Sequence, residues 1–225
     1  MRFGKKVIGT VAYMGGIMAV PSPFVWSWTQ MIQYNNQYLV NPEEEIMYDR
    51  VTVSYHSFAR NYLVKQMRGD WLLMLDTDHQ FEPDIVARML KVMADNPEVE
   101  VLSGIYQYVI PPYHPKMFRF NEDLNLEAIG DWDKKKGRYL VPVGSVGAGC
   151  LLVKRNVYNR VRNELKEEPF DIIPPYSEDN SFFRRLKKLG IKAYVDPSIE
   201  YPHLQMRPVT MKDYDRTKLK LRKAE

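Results

Sequence analysis

Asp76 and Asp78 stand one residue apart, directly after the unbroken apolar run Trp71-Leu72-Leu73-Met74-Leu75. A short apolar run bounded by polar residues reads as a buried strand, which delivers its two carboxylates at the open end. Residues two apart on a strand share a side, so both acids can reach one hard cation, and such a cation can grip a diphosphate. The pair has a second reading. Buried parallel strands end in polar turns, and Asp commonly caps the helix that follows.

Two other places hold residues that could do chemistry. Ser177-Glu178-Asp179-Asn180 precede Phe182, Leu186 and Leu189 at helical spacing, with Ser177 placed to cap the helix and Gly190 to end it. The two acids then sit in the first turn, where the helix dipole favours negative charge. Read alone they are capping acids or a general base for a hydroxyl, and such a base typically contributes about 10² to 10⁴ in rate. His203 follows a strand at Ile191–Val195, the turn Asp196-Pro197 and the short run Ile199–Tyr201. A lone histidine there is a surface residue, a satisfied core residue or a metal ligand.

The elements that must hold these groups follow from periodicity. Apolar runs alternate with helical stripes, which predicts an α/β fold with a mostly parallel central sheet flanked by crossover helices. Lys6–Tyr13 reads as the first strand, followed by a glycine turn, a helix near Phe24–Tyr34 and a short strand at Tyr38–Val40. Ala59, Leu63 and Met67 give Ser57–Met67 one buried helical face, and Arg68-Gly69-Asp70 turn the chain into the acid-bearing strand. A helix begins at Pro83, carries the stripe Ile85, Val86, Met89, Leu90 and Met93, and stops at Asn96-Pro97. Val101–Tyr106 is the next strand. From Gln107 to Arg138 periodicity is lost among prolines, aromatics and the charged cluster Asp131 to Lys136, which reads as a functional loop region or lid. Tyr139–Val143 and Cys150–Val153 return to strand on either side of Gly144, Gly147 and Gly149.

Composition narrows the function classes. The 225 residues are 45% apolar and 27% charged, enough for one well-buried domain over 1–205 with a basic tail at 206–225. The net charge of +4 suits anionic ligands without demanding nucleic acid. Much of the positive excess lies in the tail, which reads as a solvated helix first and as a contact for an anionic surface or acceptor second. Cys150 is the only cysteine, which excludes an internal disulfide and a cysteine zinc site and is expected of a reducing, cytoplasmic setting. Arg2, Lys5 and Lys6 ahead of the apolar stretch Val7–Val20 imitate a signal peptide. Glycines 9, 15 and 16 interrupt that stretch and its fourteen residues are too few to span a bilayer as a helix, so no transmembrane segment is expected.

Ala59-Arg60-Asn61, Gly69-Asp70, Leu75-Asp76-Thr77-Asp78, Gly147-Ala148-Gly149, and Glu178-Asp179 with Arg185 and Gly190 occur in an order and spacing that resemble the GT-A glycosyltransferases, particularly those of family 2. The resemblance runs from about Val7 to His203 and is nearest to short viral and archaeal members. It implies a Rossmann-like nucleotide-sugar-binding half at about 1–106 and an acceptor-binding, catalytic half at 107–205. By the same resemblance Asp76 and Asp78 engage Mn²⁺ or Mg²⁺ on the diphosphate of a nucleotide sugar, UDP-sugar by default, and His203 is the third protein ligand. Arg60 and Tyr13 are implied near the nucleotide, Gly147 and Gly149 along the donor sugar, Asp179 as the general base and Glu178 as its orienting neighbour. A hexosyltransferase that inverts the anomeric centre is the implied activity.

One departure stands out. Many members carry a third acid right after the metal motif, where this chain has His79. Two competing readings are a sugar nucleotidyltransferase and a non-catalytic nucleotide-sugar-binding module. The first usually has a glycine-rich basic loop after its first strand, whereas residues 14–24 hold two glycines and no Lys or Arg. Intact Asp76, Asp78 and Asp179 argue against the second. The acceptor is left among a glycan, a protein or lipid-linked hydroxyl and a modified DNA base, with Tyr106, Tyr113 and Trp132 as candidate stacking platforms.

Overall fold

The computed structural model of the protein describes residues 4–15, 19–52, 55–130 and 140–204. The charged cluster at 131–136, Trp132, the start of the strand expected at Tyr139 and the basic tail lie outside the described residues.

A seven-stranded sheet runs in the order β2-β1-β3-β9-β4-β10-β7. Its strands are β1 (Lys6–Gly15), β2 (Glu44–Thr52), β3 (Trp71–Asp76), β4 (Val101–Ile105), β7 (Val141–Val143), β9 (Cys150–Lys154) and β10 (Ala193–Glu200). Five of them run the same way, while β9 and β7 are antiparallel to their neighbours. The sheet is thus mostly parallel, as the alternation of runs and stripes implies. A three-stranded sheet, β6-β5-β8, is built from β5 (Met117–Phe120), β6 (Leu126–Ala128) and β8 (Ser145–Val146).

Strand alternation sorts the core into two layers. Ala12, Leu72, Met74, Leu151 and Val153 face α2 (His56–Gln66), α4 (Arg155–Arg160) and α5 (Glu178–Lys188). Val11, Leu73, Leu75, Leu102 and Leu152 face α1 (Ser22–Tyr34) and α3 (Ile85–Asp95). The insertion of β9 between β3 and β4 matters for the site. Cys150 pairs with Leu75, so an antiparallel strand begins where β3 ends, and the preceding loop 144–149 falls beside Asp76.

Several expectations are corrected. Tyr38–Val40 is not a strand, because Asn35–Leu39 form a π-helical turn continuing α1. The second strand is Glu44–Thr52, whose sequence EEIMYDRVT hides it: at the sheet edge only Ile46 is buried, so its apolar signal is faint. The helix expected from Pro83 starts at Ile85, with Pro83 in the preceding turn. The stretch after Gln107 is partly regular, since β5 and β6 lie in it. Helix α4 carried no distinct periodic signal in its six residues. At α5, Ser177 is the N-cap residue as expected, but its hydroxyl donates to the Asp179 carboxylate instead of capping a backbone N–H. Gly190 closes that helix with positive φ: its N–H reaches the Lys187 carbonyl and the Ile191 N–H reaches that of Leu186, a Schellman closure.

Candidate active site

The three residues Ala59, Arg60 and Asn61 divide into separate tasks on α2. Ala59 is buried against the sheet, and Asn61 ties down the segment before α5 by donating to Asp171 and accepting from the Phe170 N–H. Arg60, 2% exposed, turns into the end of the sheet. Its Nη2 meets both oxygens of Asp76 at 3.1 and 3.2 Å, Nη1 donates to the Ala148 carbonyl at 3.0 Å, and Nε donates to Glu178 at 3.3 Å. Burial works against the charge of Arg60, yet Asp76, then Glu178 and Asp179 outweigh it and hold the guanidinium's pKa above its ordinary value. One buried cation thereby joins β3, the glycine loop and the start of α5.

The glycine loop is shaped by Tyr106, which follows β4 and is 3% exposed. A Cβ on Gly147 would stand 1.8 Å from the Tyr106 hydroxyl, and one on Gly149 would stand 3.0 Å from His79 Nε2 and 3.2 Å from Asp76 Oδ2. These glycines therefore let backbone approach the functional side chains. Burial raises the Tyr106 phenol well above its usual pKa, with Asp76 and then Asp179 adding to the rise. Tyr106 thus feels the charges of both the acid of β3 and the acid of α5. It is a buried part of the site and not a stacking platform, which corrects the expectation for it. Tyr113 is 52% exposed and stays open to contact.

Asp78 has a different neighbourhood from Asp76. The strand ends at Asp76, and Asp78 lies in the turn beyond it, 62% exposed at its side chain. Its Oδ1 is 3.4 Å from His79 Nε2 and its Oδ2 is 3.7 Å from His203 Nε2. His79 and His203 form an isolated β-bridge and their rings stack at 4.0 Å, with Tyr201 on the other side of His79 at 4.2 Å. His79 Nδ1 bonds the Tyr201 carbonyl at 2.9 Å, and His203 Nδ1 bonds the Gln107 carbonyl. A carbonyl only accepts, so each ring carries a proton on Nδ1 and leaves its Nε2 on the side of Asp78. Burial, then the neighbouring His203, lowers the His79 pKa to about 4.

The expected site residues fall into place unevenly. Asp76, Asp78, His203, Arg60, Gly147, Gly149, Glu178 and Asp179 gather at the end of β3. Asp179 accepts from Ser177 Oγ and from the Asn180 N–H at 2.7 Å, and Asn180 is tied to Ser145 of β8 at 2.7 Å, which fixes the start of α5 against the glycine loop. Tyr13 stands apart, on the α1 face of the sheet, with its ring edge-on to Phe24 and Trp28 at 5.2 and 4.8 Å. Asp76 does not join the cluster of Asp78, His79 and His203, whose ligand atoms all lie within 4.8 Å of one another. Two contributors were not singled out from sequence as parts of the site. Tyr201 donates from its hydroxyl to the Asp76 carbonyl at 3.0 Å, and Lys116 Nζ sits 5.5 Å over the Tyr106 ring. Their signal was present only as position, two residues before His203 for Tyr201 and directly ahead of β5 for Lys116.

Residues 44–162 match the description of glycosyl transferase family 2, more than half of the chain. The chain belongs to glycosyl transferase family 2. Among solved structures, GalNAc-T7 with UDP, GalNAc and Mn²⁺ is similar over 88% of this chain and 43% of that one, with a TM-score of 0.60 at 10% identity. That likeness shows the GT-A fold. A197 from STIV is similar over 89% of this chain and 96% of that one, at 16% identity and a TM-score of 0.49. Comparison with curated protein sequences gives no match. Among the described residues, no helix of this glycosyltransferase-family chain is long and apolar enough to cross a membrane.

Proposed function

We propose that this family 2 protein is a metal-dependent glycosyltransferase that moves a sugar from a nucleoside-diphosphate sugar, UDP-sugar by default, to an acceptor hydroxyl, with Asp179 as the general base. The observation that carries the reading is convergence. Acids from β3 and its turn, from the start of α5, and the histidine after β10 meet around Tyr106, although more than a hundred residues of chain separate the first from the last. In this reading residues 1–106 serve the donor and 107–205 the acceptor.

The residues present fit a divalent cation, Mn²⁺ or Mg²⁺. Asp78 and the Nε2 atoms of His79 and His203 gather within 4.8 Å of one another, a carboxylate and two imidazoles of the kind that ligate such an ion once the rings are proton-free on that side. Asp78 and His203 would hold the ion as expected, while Asp76, occupied by Arg60, sits on the nucleotide side. When bound, the cation neutralises charge developing on the departing diphosphate.

The chain's own groups account for the remaining steps. Arg60 holds Asp76 and Glu178 in place, and Gly147 and Gly149 let the loop backbone close on Tyr106, His79 and Asp76, where it would lie along the donor sugar. Asp179 accepts the proton of the acceptor hydroxyl as its oxygen bonds to the anomeric carbon. The bond from that carbon to the diphosphate oxygen breaks, its electron pair leaves with the nucleoside diphosphate, and the anomeric configuration inverts. A cleft of about 730 Å³ beside Glu178, where Tyr55, Phe58 and Tyr62 of the donor half meet Ile172 of the other, offers aromatic surface to a glycan acceptor at the border of the two halves. A protein or lipid-linked hydroxyl or a modified DNA base would compete for that role.

Incubation with UDP-sugars and Mn²⁺, with and without chelator, tests the proposal. Chelator-sensitive release of UDP supports it. Release of pyrophosphate from a sugar phosphate and a nucleoside triphosphate would assign a nucleotidyltransferase. Tight donor binding with neither hydrolysis nor transfer across a broad acceptor panel would assign a binding module.

A further inference from the structure

We propose that His79 is a direct protein ligand of the divalent cation, completing a set with Asp78 and His203 that favours Mn²⁺ and later first-row ions over Mg²⁺. This rests on the reading of the site as a cation site and specifies which side chains make it.

The geometry points to His79 by three independent routes. Its ring is immobilised: 1% exposed, clamped between Tyr201 and His203, and edge-on to Tyr106 at 4.8 Å. Its Nδ1–H is spent on the Tyr201 carbonyl, an anchoring bond of the kind that ligating histidines make through their second nitrogen. His203 repeats the same device with the Gln107 carbonyl. The Nε2 that remains on each ring faces the same carboxylate, and the three ligand atoms lie within 4.8 Å of one another. Ligands about 2.0–2.2 Å from one ion stand roughly 3–4.4 Å apart, near the present spacing, and a turn of the more exposed His203 ring out of its stack on His79 would aim both lone pairs at one ion.

Asp76 is the alternative third ligand, and its partners count against it. Both of its oxygens are engaged by a buried guanidinium, so ligation would require it to give up Arg60. Two imidazoles and one carboxylate also differ in kind from an all-oxygen set. Imidazole suits transition ions, whereas Mg²⁺ is served by oxygen ligands and water.

Pulsed EPR of the Mn²⁺-loaded protein with UDP reads the ligand nitrogens directly. Expected is ¹⁴N modulation from two imidazoles in the parent, falling to one in His79→Gln and in His203→Gln and staying at two in Asp76→Asn. His79→Gln should weaken Mn²⁺ binding by at least about 10-fold, since loss of even an outer partner of a metal ligand costs about 10- to 100-fold. Competition should require Mg²⁺ in more than about 10-fold excess to displace half the Mn²⁺. The parent's nitrogen count needs no variant, so it decides the matter even where His79→Gln does not fold. Bound Mn²⁺ with one nitrogen in the parent would overturn the assignment of His79 and leave the cation site standing. No bound Mn²⁺ at all, with UDP present, would overturn both.

Discussion

Asp76 and Asp78 are separated by a single threonine and live in different electrostatic surroundings. Asp76 is paired with a cation that the protein itself supplies, and Arg60 extends that pairing to Ala148 and Glu178. Asp78 instead faces the Nε2 atoms of two imidazoles. The first region is complete without a ligand and holds the architecture together. The second gathers a carboxylate and two imidazoles that, in the proposed reading, a divalent cation would draw together. Two identical side chains two residues apart are thus sorted into an ion-paired position and an exposed one beside two imidazoles, the division on which the proposed cation site rests.

The acids of α5 test where chemistry ends and architecture begins. Asp179→Asn should lower the turnover rate by about 10² to 10⁴ while donor affinity, measured by calorimetry, changes little. A comparable loss in donor affinity would place Asp179 with the Arg60 framework instead. Arg60→Leu addresses that framework itself: it strands Asp76 and Glu178, and thermal or denaturant unfolding should show a loss of about 3 kcal/mol, near the lower end for broken buried pairs because Asp76 keeps some solvent access. Mn²⁺ binding by the folded fraction should survive. Gly147→Ala drives a methyl into the Tyr106 hydroxyl and should cost about 1–3 kcal/mol, with Tyr106→Phe in the same chain recovering part of it. The smallest effect is expected from Tyr201→Phe, which removes one hydrogen bond to the Asp76 carbonyl and should cost about 0.5–1.5 kcal/mol by denaturant unfolding.

The two regions were not equally legible in the sequence. The strand carrying Asp76, the α2 stripe and the α5 boundaries follow from periodicity, because both faces of β3 and one face of each helix are buried deeply enough to force apolar residues. The edge strand β2 escaped for the converse reason, since one buried side chain leaves no pattern. Arg60, Asp76 and Glu178 were marked by family resemblance, but that Arg60 saturates Asp76 depends on a contact between residues 16 apart in sequence and facing from separate elements. His79 registered only as a departure from the usual acid. Its role depends on Tyr201 and His203, more than 120 residues away, and no local pattern encodes that pairing. Tyr13, implied near the nucleotide by the same resemblance, is turned by alternation along β1 into the α1 layer against Phe24 and Trp28, partners that its own position in the sequence does not announce.

The division between the two acids is most directly tested by Mn²⁺ titration, followed by EPR, of Asp76→Asn and Asp78→Asn beside the parent protein, each with and without UDP. Asp78→Asn should lose at least about 100-fold in Mn²⁺ affinity, and Asp76→Asn should stay within about threefold of the parent in the absence of UDP. Equal losses in the two variants, or a larger loss in Asp76→Asn, would contradict the assignment of the cation to Asp78 and the histidines.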